Sequence, residues 1–271
     1  MCHFQNLRQR SLAVLTRACP LEKSRQTRQL ARDWAAGKLV LDCGEILQSA
    51  ESIPGRPSHP ELVTPRDLKR RTLQTVEGRA VLIHALAHIE FNAINLALDA
   101  IWRFAGLPAE FYSDWLQVAD EEALHFTLLS DHLRNLGFNY GDFPAHNGLW
   151  DMAERTQDDP LARMALIPRT MEARGLDVTP GLRAKLAQAG DHAAAEILDI
   201  VLRDEIGHVA IGNRWYGWLC EQRGLNPMEA YLQLVEDYRV PLLRGPLNLE
   251  ARRKAGFSEA ELEVLVQPAL G

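Results

Sequence analysis

The sequence predicts an all-α chain built on a four-helix bundle, and three observations carry that prediction. Apolar residues recur at helical spacing around two acids: Leu82, Leu86 and Ile94 flank Glu90, and Leu198, Val201 and Val209 flank Glu205. No stretch reads as a confident strand. One spacing also occurs twice. Glu90 is followed 32 residues on (122 − 90) by the Glu-x-x-His of Glu122 and His125, and Glu172 is followed 33 residues on (205 − 172) by that of Glu205 and His208. Residues three apart share a helix face. A bundle with a Glu on each of two helices and a Glu-x-x-His on each of the other two holds a dimetal centre in its core.

Taken in order, residues 5–37 read as two helices broken at Cys19-Pro20, the second ending at Gly37. Residues 41–65 carry Pro54, Pro57 and Pro60, which makes them an extended wrapping linker. Thr64 is expected to cap, and Pro65 to open, a helix over about 66–104, with a break near Gly78. It ends at Gly106-Leu107-Pro108, and a second helix runs from there to Leu136, stopped by Gly137. Glu90 and Glu122 each lie 16 residues from Gly106 (106 − 90 and 122 − 106), so in an antiparallel pair both stand at one height, roughly 24 Å from the turn.

Residues 137–148 (GFNYGDFPAHNG) form the connection to the second half. A third helix covers about 149–175, with Asp159-Pro160 as a cap or break and a kink at Pro168, one turn before Glu172. Gly175 to Gly181, with Pro180, is expected to interrupt helical order. That stretch is either a helix end or one wall of an entrance to the metals, with His146 or the crossover aromatics as another. A helix from about 191 to 222 carries Glu205 and His208, Asn226-Pro227 starts another to about Tyr238, and 258–266 is a short terminal one. The organisation expected is therefore amino-terminal helices and linker over 1–64, a dimetal bundle over 65–240, and a carboxy-terminal extension over 241–271.

Composition narrows the class. A 271-residue chain of formal charge −6 is an ordinary globular sequence. The charge is uneven: residues 1–79 hold 14 Lys and Arg against 8 Asp and Glu. An Arg-rich helix of this kind marks an anionic partner or, more commonly, a solvated face docked on an acidic bundle. Cys2, Cys19, Cys43 and Cys220 form no C-x-x-C pair and read as free thiols in a reducing cytosol. The amino terminus has too short an apolar run for a signal peptide, and no window is expected to reach bilayer-spanning length. The chain is expected to be cytoplasmic, without membrane contact.

The candidate ligands are Glu90, Glu122, His125, Glu172, Glu205 and His208, with Glu122 and Glu205 also bridging. A lone Glu-x-x-His is weak, but an acid in an apolar stripe is costly to bury unless it is paired or binds metal. His84 and His88 share a face, and His88 points about 200° from Glu90, so both are expected to pack or to hydrogen-bond between helices. His132 follows His125 by two turns and lines a channel or fills core. Arg174 neutralises carboxylates or caps a helix end.

The runs HALAHIEFNAINLALDA, ADEEALHF, YGDFPAHNGLWDMAE, MEARGLDVTPG, RDEIGHVAIGNRW and PGRPSHPEL resemble the DUF455 family of bacterial ferritin-like proteins. More distantly the layout is similar to the ribonucleotide reductase small subunit and to MiaE-type tRNA hydroxylases. The resemblance implies a ferritin-like bundle and a metal site but names no substrate. By similarity to the reductase, Asp204 holds His125 by its free ring nitrogen and Glu121 serves His208 less closely; the alternative for both is solvent exposure.

Four carboxylates offset most of the charge of two metals, and imidazole suits iron. The expected cofactor is two iron ions, with manganese or a mixed pair as the variant. The expected function is an oxygen-dependent hydroxylase or oxygenase of a small-molecule or RNA-linked substrate, served by an electron-donor protein. The rival is an iron-handling or peroxide-scavenging protein with no organic substrate; the chain has no rubredoxin-like pair of C-x-x-C motifs to supply electrons to it.

Overall fold

A computed structural model describes residues 5–68, 71–240 and 246–266, and among these the chain is all-α apart from a two-residue parallel ladder of Gln5–Asn6 with Leu39–Val40 and an isolated parallel bridge between Leu62 and Ala145. Cys2 and residues 241–245 and 267–271 of the expected carboxy-terminal extension lie outside the described residues. The chain divides into two compact units, Met1–Trp150 and Asp151–Gly271.

The first unit begins with α1 (Leu7–Leu15) and α2 (Pro20–Ala35), broken where Cys19-Pro20 predicts. Two long helices follow, α3 (Val76–Arg103) and α4 (Ala109–Asn135). They pack on each other, with α1 against α3 and α2 against α4. The basic amino-terminal segment is therefore docked. Arg28 of α2 pairs with Asp120 of α4 at 3.2 Å. Arg8 is fully buried and donates to the carbonyls of Ile101 (3.2 Å) and Trp102 (2.7 Å), serving the orphan acceptors that every helix carboxy terminus leaves. The hairpin turn is fixed by Gly106 at φ +76° and by the Tyr112 hydroxyl, which donates to the Phe104 carbonyl at 2.9 Å.

Helix α3 starts ten residues later than the sequence predicts. Thr64 does not cap it; its hydroxyl donates to Asp67 within a turn. Thr75 caps instead, its Oγ1 accepting from the Gly78 N–H at 3.0 Å. The chain folds back here so closely that a Cβ on Gly78 would sit 1.8 Å from the Thr72 carbonyl oxygen, which explains the glycine. A second expectation also falls: α3 is long and apolar enough to cross a membrane by length and composition alone. It is a core helix, with 72% of its most apolar window buried, and it carries His84, His88, Glu90 and Asp99 inward.

The linker is tied to the crossover by backbone bonds, Val63 N–H to the Ala145 carbonyl at 2.8 Å and Ala145 N–H to the Glu61 carbonyl at 3.0 Å. Crossover aromatics close over α3. His84 accepts from the Gly141 N–H at 2.9 Å and stacks on Tyr140. Burial holds His84 down to about 4 from its ordinary 6.5, against a smaller opposing pull from Asp142. Between those values the unfolded chain binds the proton and the folded chain does not, so acidification favours unfolding. The expected result is a thermal midpoint that falls as pH drops from 6.5 toward 4, and falls less steeply in His84→Gln. Identical slopes in the two proteins would show that this titration carries no stability.

Helix α5 (Gly148–Arg155) begins at the end of the first unit and runs into the second, where it leads to α6 (Pro160–Leu166), capped by Asp159, which accepts from the Leu161 N–H at 3.0 Å. A π-helical turn, Ile167–Glu172, then runs into α7 (Ala173–Gln188). The predicted interruption at 175–181 is absent: α7 passes through Gly175, Pro180 and Gly181 without a break. Pro180 has no N–H for the Leu176 carbonyl, and Asn248 Nδ2 replaces that donor at 3.1 Å. An entrance wall of irregular backbone at 175–181 is thereby excluded. Helix α8 (His192–Gln222) returns against α7 after Gly190 at φ +82°. Then come α9 (Pro227–Asp237), α10 (Leu249–Lys254) and α11 (Glu259–Val266); α10, unforeseen in the sequence, packs on α7 and α8. Ala173, Leu176, Val209, Ala251 and Phe257 form the core beneath it.

Candidate metal centre

The α3–α4 hairpin brings three of the predicted ligands together. Glu90, Glu122 and His125 each offer a ligand atom, and these atoms lie within 4.8 Å of one another. All three side chains are buried, at 6%, 2% and 0% exposure. His125 Nδ1 stands 3.3 Å from Glu122 Oε2 and 3.4 Å from Glu90 Oε2. The carboxyl group of Glu90 is pushed well above its ordinary range, first by burial and then by the neighbouring Glu122 carboxylate. Burial by itself lowers the imidazole of His125, but hydrogen bonds to Glu122 and Glu90 outweigh it and lift the ring to about 11. Two acids and an imidazole crowded out of water in this way form a group that could hold a cation.

The second unit repeats the local geometry. His208 Nδ1 lies 3.3 Å from Glu205 Oε2, the same separation as in the first Glu-x-x-His, and both residues are buried. Glu172 is the last residue of the π-helical turn. Pro168 cannot supply the N–H of an α-helical turn, and the backbone widens: the Ala173 N–H donates to the Pro168 carbonyl, five residues back. Gly212 of α8 makes room for the proline, since a Cβ there would come within 2.4 Å of Pro168 Cβ. Gly175, one turn beyond Glu172, lies against Glu205, where a Cβ would stand 3.7 Å from Glu205 Oε1.

Sequence reasoning missed what holds this turn. Arg169 lies over the rings of Tyr216, Tyr231 and Phe257 at 4.8–5.2 Å, donates to Asn213 at 2.7 Å, and pairs with Glu261. An arginine beside a proline carried no signal for this, because its partners come from three later segments. Of the other candidates, Asp204 accepts two hydrogen bonds from Arg203 and is partly buried, and Glu121 accepts from Gln117. Arg174 donates to Asp177. His132 is buried on α4, and His146 accepts from the Gly148 N–H in the crossover. His88 is buried, as packing requires, but its hydrogen bonds go to the Tyr140 hydroxyl of the crossover at 2.8 Å and to Asn92 of its own helix at 3.0 Å rather than to another helix. Cys19, Cys43 and Cys220 are free thiols.

Residues 16–263 match the family described as "Protein of unknown function (DUF455)". An uncharacterized protein of Haemophilus influenzae is 52% identical over 220 residues, covering 79% of this chain and 76% of its own. No solved structure gives a significant match.

Proposed function

Because the chain belongs to the DUF455 family, which carries no assigned activity, we propose its function from its own donor groups: a ferritin-like di-iron oxidoreductase, acting as an oxygen-dependent hydroxylase or oxygenase. The observation that carries the reading is the buried triad of Glu90, Glu122 and His125. The donor chemistry fits a divalent metal. A cation between the two carboxylates offsets the burial, and after it the repulsion from Glu122, that together push Glu90 to hold its proton. Glu172, Glu205 and His208 repeat that donor set in the sequence, and in number and kind the six donors match the ligand complement of a dinuclear carboxylate centre. When bound, such a centre supplies O2 or peroxide activation, with the redox change shared between two ions. Imidazole and carboxylate donors suit iron, with manganese or a mixed pair as the variant. Asp204 and Glu121 are assigned supporting roles toward the imidazoles. The three free thiols support a reducing, cytoplasmic setting.

Anaerobic reconstitution with Fe(II) followed by elemental analysis tests the centre. Close to two ions per chain are expected, and Glu122→Ala should lose metal while keeping a helical circular-dichroism spectrum, because helix packing supplies most of the fold. One ion or none in the parent protein overturns the proposal. Exposing the loaded protein to O2 with a reductant and cell-extract metabolites or RNA then separates the two chemistries. A product heavier by one oxygen atom identifies an oxygenase, and O2 consumption without one identifies iron handling or peroxide scavenging.

A further inference from the structure

Arg169 stands in the same π-helical turn as Glu172. The bond from the Ala173 N–H to the Pro168 carbonyl closes that turn around both residues, so a shift of one carries the other. From α8, Asn213 accepts from Arg169 Nη1 at 2.7 Å and Tyr216 offers its ring. From α9, Tyr231 offers its ring, and its hydroxyl meets that of Thr170, the next residue of the turn, at 3.0 Å. The remaining contacts come from the carboxy-terminal segment. The guanidinium lies over the Phe257 ring at 4.8 Å, and Glu261 of α11 pairs with Nη2.

The groups that grip Arg169 are themselves fixed by that segment. Glu261 Oε2 accepts from the Ser258 N–H at 2.7 Å and from the Ser258 hydroxyl at 2.8 Å, which leaves Oε1 aimed at the arginine. Asn213 donates through its amide to the Ala255 carbonyl at 2.7 Å. Arg169 and Glu261 keep only 5% and 17% of their side-chain surface exposed, so removing either leaves the other as a poorly solvated charge.

We propose that the carboxy-terminal segment regulates metal retention, with Arg169 as a positioning residue that couples docking of α11 to the placement of Glu172. The inference rests on the dimetal reading, in which Glu172 is a ligand. With α11 docked, the turn is held from α8, α9 and α11 together, and the Glu172 carboxylate is presented in one place. With α11 released, Arg169 loses its carboxylate partner and part of its ring cage. The widened turn, which has no N–H at Pro168 to tighten it, then shifts. A donor displaced by about 1 Å is a poor ligand. The coupling is confined to the donor set of Glu172, because Glu90, Glu122 and His125 stand on α3 and α4. Linkage makes it reciprocal: an ion that favours the placed Glu172 also favours the docked α11.

Co(II), added anaerobically to the metal-free protein, is the probe, because its visible bands report ligand number and geometry. The parent should take up two ions. Glu261→Gln should bind one of them as the parent does and the other at least ten-fold more weakly, and Arg169→Met should do the same. If Arg169→Met fails to fold, Glu261→Gln decides, since Glu261 is the less buried partner and glutamine keeps its shape. Glu259→Gln is the control: it removes an exposed pair with Arg253 from the same helix and should change neither ion. In the parent, binding of the second ion should also slow amide hydrogen exchange in α11. Unchanged affinities in Glu261→Gln, equal weakening of both ions, or no added protection of α11 on loading overturns the proposal. Those failures are read in a parent that binds two ions. A parent that binds fewer overturns the dimetal reading itself, and this inference with it.

Discussion

Replacing Asp177 with alanine should cost about 3–5 kcal/mol of stability, the range for breaking one side of a buried ion pair. Asp177 and Arg252 are both fully buried and meet in a two-point contact, Nε to Oδ1 at 3.0 Å and Nη2 to Oδ2 at 2.8 Å. Asp177 also accepts from the Asn248 backbone N–H at 2.9 Å. Removing the carboxylate strands a guanidinium in the core beside the Ala173 carbonyl and frees the start of α10. Pairing Asp177→Leu with Arg252→Met removes both charges and should recover part of the loss, since the large term is the unpaired charge rather than the attraction. Urea denaturation of both variants measures this. A cost below about 1 kcal/mol, the level of a surface pair, would show that water reaches the site.

The second large effect is on α8. Gly212→Ala places a methyl group 2.4 Å from Pro168 Cβ and 2.6 Å from its Cγ, and a proline ring on a packed turn has no rotamer to escape into. Overpacking of this kind costs about 1–3 kcal/mol. Gly217 is the control. It lies in the same helix, a Cβ there meets nothing within 4 Å, and Gly217→Ala should stabilise by roughly 0.4–1 kcal/mol through the unfolded chain. Opposite signs in the two thermal midpoints are expected. If Gly212→Ala also stabilises, the turn at Pro168 yields easily and is no rigid platform for Glu172.

Where a feature depends on near neighbours, it was legible in the sequence. The α3–α4 hairpin follows from helical periodicity and a glycine able to take positive φ, and symmetry about Gly106 anticipates that Glu90 and Glu122 meet. The caps at Asp159 and Asn226 are likewise local. The errors come from distant partners. Gly175, Pro180 and Gly181 break helices by propensity, but Asn248 and Arg252 supply the missing donor and a buried pair from 71–75 residues away, and α7 continues. Thr64-Pro65 is a good local start signal, overruled because the chain packs back against Gly78. Pro168 marked a kink at the right place; that the backbone would widen rather than bend depended on Gly212 and on the ring cage around Arg169.

The replacement of Pro180's missing donor by Asn248 has a consequence in time. The two partners of that hydrogen bond are separated by 72 residues. A ribosome adding about 5–20 residues per second makes the Leu176 carbonyl on the order of 4–14 s before its donor exists. During that interval α7 has a solvated gap at its middle, and α8 can reach it before the carboxy-terminal segment does. The last-made part of the chain thus acts as a splint, completing a helix that was synthesised well ahead of it. Proteolytic loss of residues after 246 would return α7 to the nascent state, so its middle should exchange amide hydrogens faster in a chain trimmed there than in the intact one.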